Sequence, residues 1–195
     1  TRYFGRSIVK ELLASGHRVT VFTRGNLKPD ILSQVNHIIG DRTDSHSFKE
    51  LFRGKIFDTV IDNIGYLPSA IETTLEVFKG NVGLYIYTSS ISSYCVDKFK
   101  PSAHRYLDRK ILREDDYQSV PGSLSNINSV DTYCIGKNQC ELRVMENKEL
   151  PFVILRPPLV IGPDDHSRNL YFFLQRILDG GPIILPKHPK QNLLH

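Results

Sequence analysis

Residues 57–90, FDTVIDNIGYLPSAIETTLEVFKGNVGLYIYTSS, decide the fold because they hold two apolar strands with one helix between them. The first strand is predicted over FDTVIDNIG (57–65), the helix from about Ser69 to Phe78, and the second strand over VGLYIYTSS (82–90). Two short strands joined by a helix are typical of a right-handed crossover that makes the strands parallel. The segment therefore predicts a β-α-β unit covered on both faces.

The same alternation extends in both directions from this unit. Upstream, RSIVKELLASG (6–16) has the apolar spacing of a helix that ends at a glycine, and HRVTVF and NHIIGD are short β-branched runs. Downstream, a helix from about Asp131 to Asn147 precedes the buried strand FVILR, and the helix NLYFFLQRILDGG precedes a short strand, PIILP. Residues 96–130 interrupt the alternation and are predicted to be a long surface insertion. The pattern predicts the α/β class with a doubly wound, Rossmann-like parallel sheet.

Composition excludes several classes of protein. The chain has 195 residues, of which 40% are hydrophobic and 24% are charged, which is typical of a globular protein. No apolar stretch reaches the ~18 residues of a membrane span, and no secretory signal is evident, so a cytoplasmic location is expected. The cysteines are odd in number and include no Cys-x-x-Cys pair, which predicts buried free thiols rather than a disulfide framework or a zinc site; they are Cys95, Cys134 and Cys140.

The net charge of +4 is spread over the chain without a basic run. This distribution gives little support to a nucleic-acid partner and fits an anionic small ligand equally well. No metal site is predicted.

Strand ends are the expected place for a ligand in such a sheet. Gly5 precedes the first helix and is either the last glycine of a phosphate-binding turn or ordinary helix punctuation. Arg24 follows the strand predicted over HRVTVF, where a dinucleotide-binding fold would place a carboxylate that holds ribose hydroxyls. It either pairs with a 2′-phosphate, which favours NADP, or is a solvated side chain. Asp41 either contacts an adenine amino group or caps a helix that begins near Ser45.

A Tyr-x-x-x-Lys pattern places both side chains on one helix face, where the ammonium can lower the pKa of the phenol. The pattern occurs three times, as Tyr94/Lys98, Tyr106/Lys110 and Tyr133/Lys137. Context favours the third pair, because Asp131 or Ser129 can cap its helix and a buried strand follows.

Two further segments contain candidate site residues. The strand over 82–90 ends in Thr88, Ser89 and Ser90, whose hydroxyls either polarise a substrate oxygen or serve a turn. RPPLVIGP (156–163) either lines a substrate cleft or is a structural turn.

Together TRYFGR, GDRTD, YTSSISSY, YCIGK and RPPLVIGP resemble, in order and spacing, the extended short-chain dehydrogenase/reductases of the NAD-dependent epimerase/dehydratase family. The similarity spans essentially the whole chain. It is greatest to the atypical branch with a GGTRFxG-like start, which also includes chloroplast stem-loop-binding proteins. The resemblance implies an NAD(P)-binding domain over residues 1–160 and the start of a small substrate-binding region over 161–195. It also implies a first strand upstream of Thr1, so the sequence is expected to be incomplete at both ends.

The resemblance also assigns roles to individual residues. Tyr133 would be the catalytic tyrosine, Lys137 its partner and a ligand of the nicotinamide ribose, and Ser90 the catalytic hydroxyl, four residues before Tyr94. The implied cofactor-binding residues are Arg2, Gly5, Arg24, Asp41, Asn63, Gly65 and Lys137. Arg2 stands where most of the family has its second glycine.

The function implied is that of an NAD- or NADP-dependent oxidoreductase or epimerase, with NADP favoured, acting on a secondary alcohol or carbonyl of a sugar nucleotide or similar polar metabolite. Ile91 and Ser92 replace the Asp-Glu pair of the dehydratases, which disfavours dehydration. A homodimer through the helices over 69–78 and 131–147 is implied by the resemblance alone. The alternative is a dinucleotide-binding regulator or RNA-binding protein without catalysis; the basic pI of 8.9 allows it, whereas the presence of Ser90, Tyr133 and Lys137 opposes it.

Overall fold

The structure is a computed structural model that describes residues 3–26, 30–97, 113–162, 165 and 168–183. Its helices are α1 (Phe4–Ala14), α2 (Ser45–Phe52), α3 (Pro68–Phe78), α4 (Val130–Glu146) and α5 (Asn169–Leu178). Its strands are β1 (Thr20–Thr23), β2 (Asn36–Ile39), β3 (Phe57–Asp62), β4 (Val82–Thr88) and β5 (Phe152–Leu155). Short 3₁₀ helices span Asp30–Gln34, Ile91–Asp97 and Glu114–Asp116.

The chain divides into two compact units. Among the described residues, one unit holds those up to Asp41 together with those from Leu159 onward, and the other holds those within Arg42–Pro158. The predicted boundary between residues 160 and 161 concerns a substrate-binding region and stays a prediction.

The first unit contains β1 and β2, which pair in parallel from Thr20 opposite Asn36 to Thr23 opposite Ile39. Helix α1 ends as predicted at a glycine: Gly16 has a φ of +80°, and its N–H donates to the Leu13 carbonyl at 3.0 Å. That left-handed conformation costs glycine little. The core of this unit consists of Val9, Val21 and Ile31, with Leu13, Val19, Leu32 and Val35 packed against them.

The second unit contains a parallel sheet in the order β3-β4-β5. Phe57 lies opposite Val82 at one end of the β3-β4 pair, and Thr88 lies opposite Leu155 at the end of β4-β5. The β-α-β unit predicted from residues 57–90 is therefore confirmed. Both units pair their strands in parallel and join them through helices, which is a Rossmann-like α/β fold.

An aromatic cluster packs α2 and α3 against the start of β3. The Phe52 ring lies 4.9 Å from that of Phe48 and 5.2 Å from that of Phe78, and Phe57 lies 6.0 Å from Phe78. Each such pair contributes about 0.5–1.5 kcal/mol beyond the area it buries. The cluster fixes both helices at the end of the sheet opposite to the strand termini that carry candidate site residues.

The helix caps settle two alternatives left open by the sequence. Asp44, not Asp41, caps α2, since its carboxylate accepts from the Ser47 N–H at 3.0 Å. The capping interpretation of Asp41 is therefore wrong: three residues separate it from the first residue of α2, too many for an N-cap. Ser129 caps α4 in a reciprocal box with Thr132, as one of the two predicted caps.

The described part of the predicted insertion, residues 113–129, is hydrogen-bonded to α4. Asn138 accepts from the Val120 N–H at 2.8 Å, and Gln139 accepts from the Leu124 N–H at 2.8 Å. The Tyr117 hydroxyl donates to the Asn138 carbonyl at 2.7 Å. This segment is therefore a covering layer on the helix, because side-chain amides satisfy its backbone where no strand does.

Several predictions concern residues that lie outside the described ranges. Lys98 and the Tyr106/Lys110 pair lie outside them, as does most of PIILP, whose Pro182 and Ile183 are not in a strand. Cys134 and Cys140 are buried and form no disulfide, as predicted. Among the residues described, no helix has the length and apolarity needed to cross a bilayer.

Candidate functional site

Helix α4 and the end of β4 bring together the three predicted catalytic residues. The Ser129 cap starts α4 so that Tyr133 and Lys137 follow one turn apart on one face. Ser90 stands two residues beyond β4, at the carboxyl end of the central strand of this sheet. The Ser90 side chain lies near enough to Tyr133 to favour its phenolate. The structure thus places a serine, a tyrosine and a lysine at one sheet edge of the second unit.

Lys137 is almost completely buried, with 2% of its surface exposed. Its ammonium donates to the Thr88 carbonyl at 2.8 Å and to the Gly65 carbonyl at 3.0 Å. Two tyrosine rings also face it, Tyr66 with its centroid at 4.6 Å and Tyr87 at 5.0 Å. Burial lowers the pKa of Lys137 to about 8, because the charged form is poorly solvated there, and the charge of Asp62 opposes the shift.

Tyr133 is half-buried, and that burial raises its pKa above the ordinary value for a phenol. The Ser90 side chain acts in the opposite direction, since it favours the phenolate. The expectation that Lys137 lowers the pKa of Tyr133 is not met in this structure. The physical reason is that the ammonium is directed to the Gly65 and Thr88 carbonyls, while desolvation dominates at the phenol.

Ser90 immediately precedes the 3₁₀ helix that follows β4, Ile91–Asp97. Its Oγ accepts from the Ser92 N–H at 3.1 Å, which fixes the side chain at the strand terminus. The neighbouring Ser89 hydroxyl is buried and has no hydrogen-bond partner among the described residues. Thr88, the last residue of β4, donates to the Asn63 side-chain oxygen at 2.7 Å. Of the three predicted hydroxyls, Ser90 is the one that acts on the pKa of Tyr133.

The loop after β3 supplies Asn63 and Gly65 to the same edge. A Cβ on Gly65 would lie 2.5 Å from Ile71 Cδ1 and 2.7 Å from Tyr87 Cε2, so close packing requires glycine there. The Gly65 carbonyl accepts from both Lys137 and the Tyr87 hydroxyl, the latter at 2.8 Å. The structure therefore gives both residues a local role beside Lys137, whereas contact with a cofactor stays a prediction.

A buried ion pair that the sequence did not reveal anchors this loop. The Arg42 guanidinium forms two hydrogen bonds of 2.8 Å to the Asp62 carboxylate, and Tyr85 donates to the same carboxylate at 2.7 Å. Asp62 also accepts from the Ile64 N–H at 3.0 Å. The Arg42 guanidinium holds the pKa of Asp62 below its usual value against the effect of burial. A carboxylate inside the apolar run FDTVID was the available signal, although its partner could not be named from spacing.

The remaining predicted cofactor-binding residues belong to the first unit. Gly5 is buried in the first turn of α1, a turn without acidic side chains. Arg24 is exposed directly after β1, next to the turn at Gly25, whose φ is +76°. Asp41 is exposed after β2, and Arg2 lies outside the described residues. Within the described ranges, no group of His, Cys, Asp and Glu side chains could hold a metal ion.

Comparisons with known proteins agree with the fold. No family model matches the chain. It is 26% identical over 200 residues to the chloroplast stem-loop binding protein of 41 kDa b from Arabidopsis thaliana, covering 95% of this chain and 47% of that protein. The chain thus spans about half the length of this relative.

Two solved structures share the architecture. Pal from Bacillus thuringiensis matches with a TM-score of 0.62 at 18% identity, over 91% of this chain and 61% of that one. The structure of gox2253 matches with a TM-score of 0.55 at 19% identity, over 93% and 56% respectively. At these identities the likeness shows the fold, and the chain is a Rossmann-like α/β protein distantly similar in sequence to a chloroplast stem-loop binding protein.

Proposed function

We propose that this chain works as an NAD(P)-dependent oxidoreductase or epimerase on a secondary alcohol, or the corresponding carbonyl, of a polar metabolite such as a sugar nucleotide. The observation that supports the proposal is that Ser90, just after β4, and Tyr133, on α4, lie on the same edge as the buried ammonium of Lys137. Proton exchange with an alcohol needs a phenol or phenolate that takes the proton and a hydrogen bond to the substrate oxygen.

Each residue has a separate role in this reaction. Tyr133 takes the hydroxyl proton when the alcohol is oxidised and returns it when the carbonyl is reduced. Ser90 donates a hydrogen bond to the substrate oxygen. Lys137, whose ammonium is directed to the Gly65 and Thr88 carbonyls, would bind the nicotinamide ribose with its remaining N–H. A nicotinamide held by Lys137 would supply the hydride transfer when bound.

The residues around Lys137 fit a nicotinamide cofactor in one respect that the structure allows to be checked. An ammonium has three N–H donors, and two of them are used by the Gly65 and Thr88 carbonyls, so one is left for a ribose hydroxyl. Asn63 and Gly65 would line the same part of the cofactor. The phosphate and adenosine parts would be held by Arg2, Gly5, Arg24 and Asp41, and the exposed guanidinium of Arg24 favours NADP.

Turnover by the Tyr133→Phe variant tests the proposal. The wild-type protein and the variant are incubated with NADPH or NADH and a panel of keto sugar nucleotides, and cofactor oxidation is followed by absorbance. We expect the wild type to turn over one class of keto sugar nucleotide and Tyr133→Phe to turn over none. The change in nicotinamide fluorescence on cofactor binding should be the same for both proteins. Tyr171→Phe, which removes a hydroxyl from an exposed tyrosine of α5, is the matched control. Equal turnover by Tyr133→Phe and the wild type would contradict the assignment.

A second candidate function is RNA binding without catalysis. One finding favours it: the similar Arabidopsis protein is, by name, a stem-loop binding protein. The affinity for an RNA hairpin would then fall steeply with salt, more steeply than for an unrelated protein of the same net charge. Hairpin binding that is insensitive to NADPH and accompanied by no cofactor binding would favour this function over the first.

A further inference from the structure

Tyr66 contacts both helical residues of the candidate site, Tyr133 and Lys137, although no motif in the sequence includes it. It follows Gly65 in the loop between β3 and α3. Its ring centroid lies 4.6 Å from Lys137 Nζ and 6.1 Å from the centroid of the Tyr133 ring. The residue is 42% exposed, so one side of it faces solvent beside Tyr133.

The backbone of Tyr66 is held against α4 by a close approach that only glycine permits. A Cβ on Gly136 would lie 2.6 Å from the Tyr66 carbonyl oxygen and 2.7 Å from Ile127 Cδ1. Gly136 immediately precedes Lys137, while the Gly65 carbonyl accepts from the Lys137 ammonium. Loop and helix therefore touch on both sides of Tyr66, and its ring is positioned by the fold.

Lys137 lacks a carboxylate partner within the described part of the chain, despite its burial. Its contacts are the carbonyls of Gly65 and Thr88 and the faces of the Tyr66 and Tyr87 rings. The titratable and charged groups that act on it from the surrounding elements are Asp62 on β3, Cys140 and Glu141 on α4, and Arg42 before α2. Ring faces carry negative electrostatic potential and attract an ammonium most strongly when it is desolvated.

We propose that Tyr66 is a positioning residue whose ring face keeps the Lys137 ammonium charged and in place beside Tyr133. Tyr87 contributes a second ring, but it is fully buried and its hydroxyl is engaged by the Gly65 carbonyl. Tyr66 is the ring that contacts both Lys137 and Tyr133. The inference deepens the proposed function and rests on it for its chemical purpose, while its test needs no cofactor or substrate.

The ionisation of Lys137 is measured by NMR of ¹³C-labelled lysine, with the Lys137 signal assigned by its loss in Lys137→Met. In the wild type we expect a midpoint near the pKa of about 8 that burial imposes. Tyr66→Leu removes the ring face and should lower the midpoint by roughly 0.5–1 pH unit, whereas Tyr66→Phe keeps the face and should leave it unchanged. Ile64→Ala, at an exposed side chain of the same loop, is the matched control and should also leave it unchanged.

A purely structural role for Tyr66 would lower the unfolding midpoint of Tyr66→Leu without moving the Lys137 titration, and that result would overturn the inference. A fluorinated phenylalanine at position 66 covers the case in which Tyr66→Leu does not fold, because it keeps the shape while withdrawing electrons from the ring face. It should lower the Lys137 midpoint relative to Tyr66→Phe, and equal midpoints would contradict the inference. If the wild type and Tyr66→Phe bind no NADPH while these midpoints behave as expected, the proposed function fails and the positioning role stands.

Discussion

Helices α4 and α5 distribute polar and apolar side chains in opposite ways. Helix α4 buries a run of polar residues, namely Lys137, Asn138, Gln139 and Glu141. Helix α5 leaves most of its apolar side chains exposed, with Phe172 at 60% exposure. Hydrophobic spacing predicts that both segments are helices, but it does not predict which side chains are buried. The difference shows that partners, rather than polarity, determine burial in α4.

Every buried polar side chain in that run of α4 has specific partners. Glu141 accepts three hydrogen bonds from the Arg156 guanidinium, the shortest 2.7 Å, and the Asn138 side chain binds three backbone groups in two other segments. Burying such groups without partners costs several kcal/mol, on the order of 2–7 for a neutral one. If the comparison is right, a substitution on α4 should lower the free energy of unfolding more when it leaves more buried groups without a partner. Substitutions on α5 should leave the free energy of unfolding nearly unchanged.

The largest effect is expected from Glu141→Ala. This change leaves the Arg156 guanidinium without its carboxylate in a position where its side chain is 13% exposed. We expect the free energy of unfolding to fall by about 3–5 kcal/mol, measured by urea denaturation.

Glu146→Ala is the matched control for Glu141→Ala. Glu146 pairs with Arg143 on the same helix, but it is more than half exposed, so its loss should cost about 0.2–1 kcal/mol. The double variant Glu141→Leu/Arg156→Met removes both charges and should recover most of the stability. Similar costs for the two glutamates would break the contrast between the buried and exposed faces of α4.

Lys137 should make stability depend on pH. Burial lowers its pKa in the folded protein from 10.5 to about 8, so the unfolded chain binds this proton more tightly. Between pH 8 and 10.5 the contribution of Lys137 to stability should therefore rise with pH, by up to about 3 kcal/mol. The measurement is the difference in unfolding free energy between the wild type and Lys137→Met at pH 7 and pH 10. A difference that does not change with pH would show that the ammonium is solvated.

Asn138→Ala tests the hydrogen bonds that attach the segment before α4. The Asn138 side chain donates to the Ser93 and Gln118 carbonyls at 2.9 and 2.8 Å and accepts from the Val120 N–H at 2.8 Å. Its removal should cost about 2 kcal/mol and increase amide exchange at Val120. Asn147→Ala, at the half-exposed end of the same helix, should cost less than about 1 kcal/mol. Unchanged exchange at Val120 would mean that the segment is held by other contacts.

The smallest effect is expected from Phe172→Ala on α5. An exposed ring loses little on truncation, so the free energy of unfolding should change by less than about 0.5 kcal/mol. Phe52→Ala, in the aromatic cluster, should cost about 3–5 kcal/mol. A loss above about 2 kcal/mol for Phe172→Ala would show that its ring is buried in solution. That result would contradict the contrast between α4 and α5.

The sequence predicts helices and strands well where interactions between residues close in the sequence determine them. The β-α-β unit over 57–90 follows from alternating strand and helix patterns, and the cap at Ser129 and the glycine at the end of α1 follow from backbone chemistry. Helical spacing and context single out Tyr133 and Lys137, whereas only the family resemblance selects Ser90 from the three hydroxyls at the end of the strand.

The contacts that position those residues could not be predicted, because they join segments distant in the sequence. Arg42 meets Asp62 across 20 residues, and Lys137 meets the Gly65 carbonyl across 72. Tyr66 is an exposed tyrosine in a loop, and nothing in its neighbours indicates that Lys137 lies under its ring. For the same reason, the expected lowering of the pKa of Tyr133 overlooked burial, which depends on tertiary packing.

The most direct test of the account is a titration of NADPH and NADH against the wild type and Lys137→Met, followed by nicotinamide fluorescence. Lys148→Met, at an exposed lysine just after α4, serves as the control. The account predicts micromolar binding to the wild type and the control, with NADPH preferred, and strongly weakened binding to Lys137→Met. Absence of binding to the wild type, or equal affinity of Lys137→Met, would contradict it.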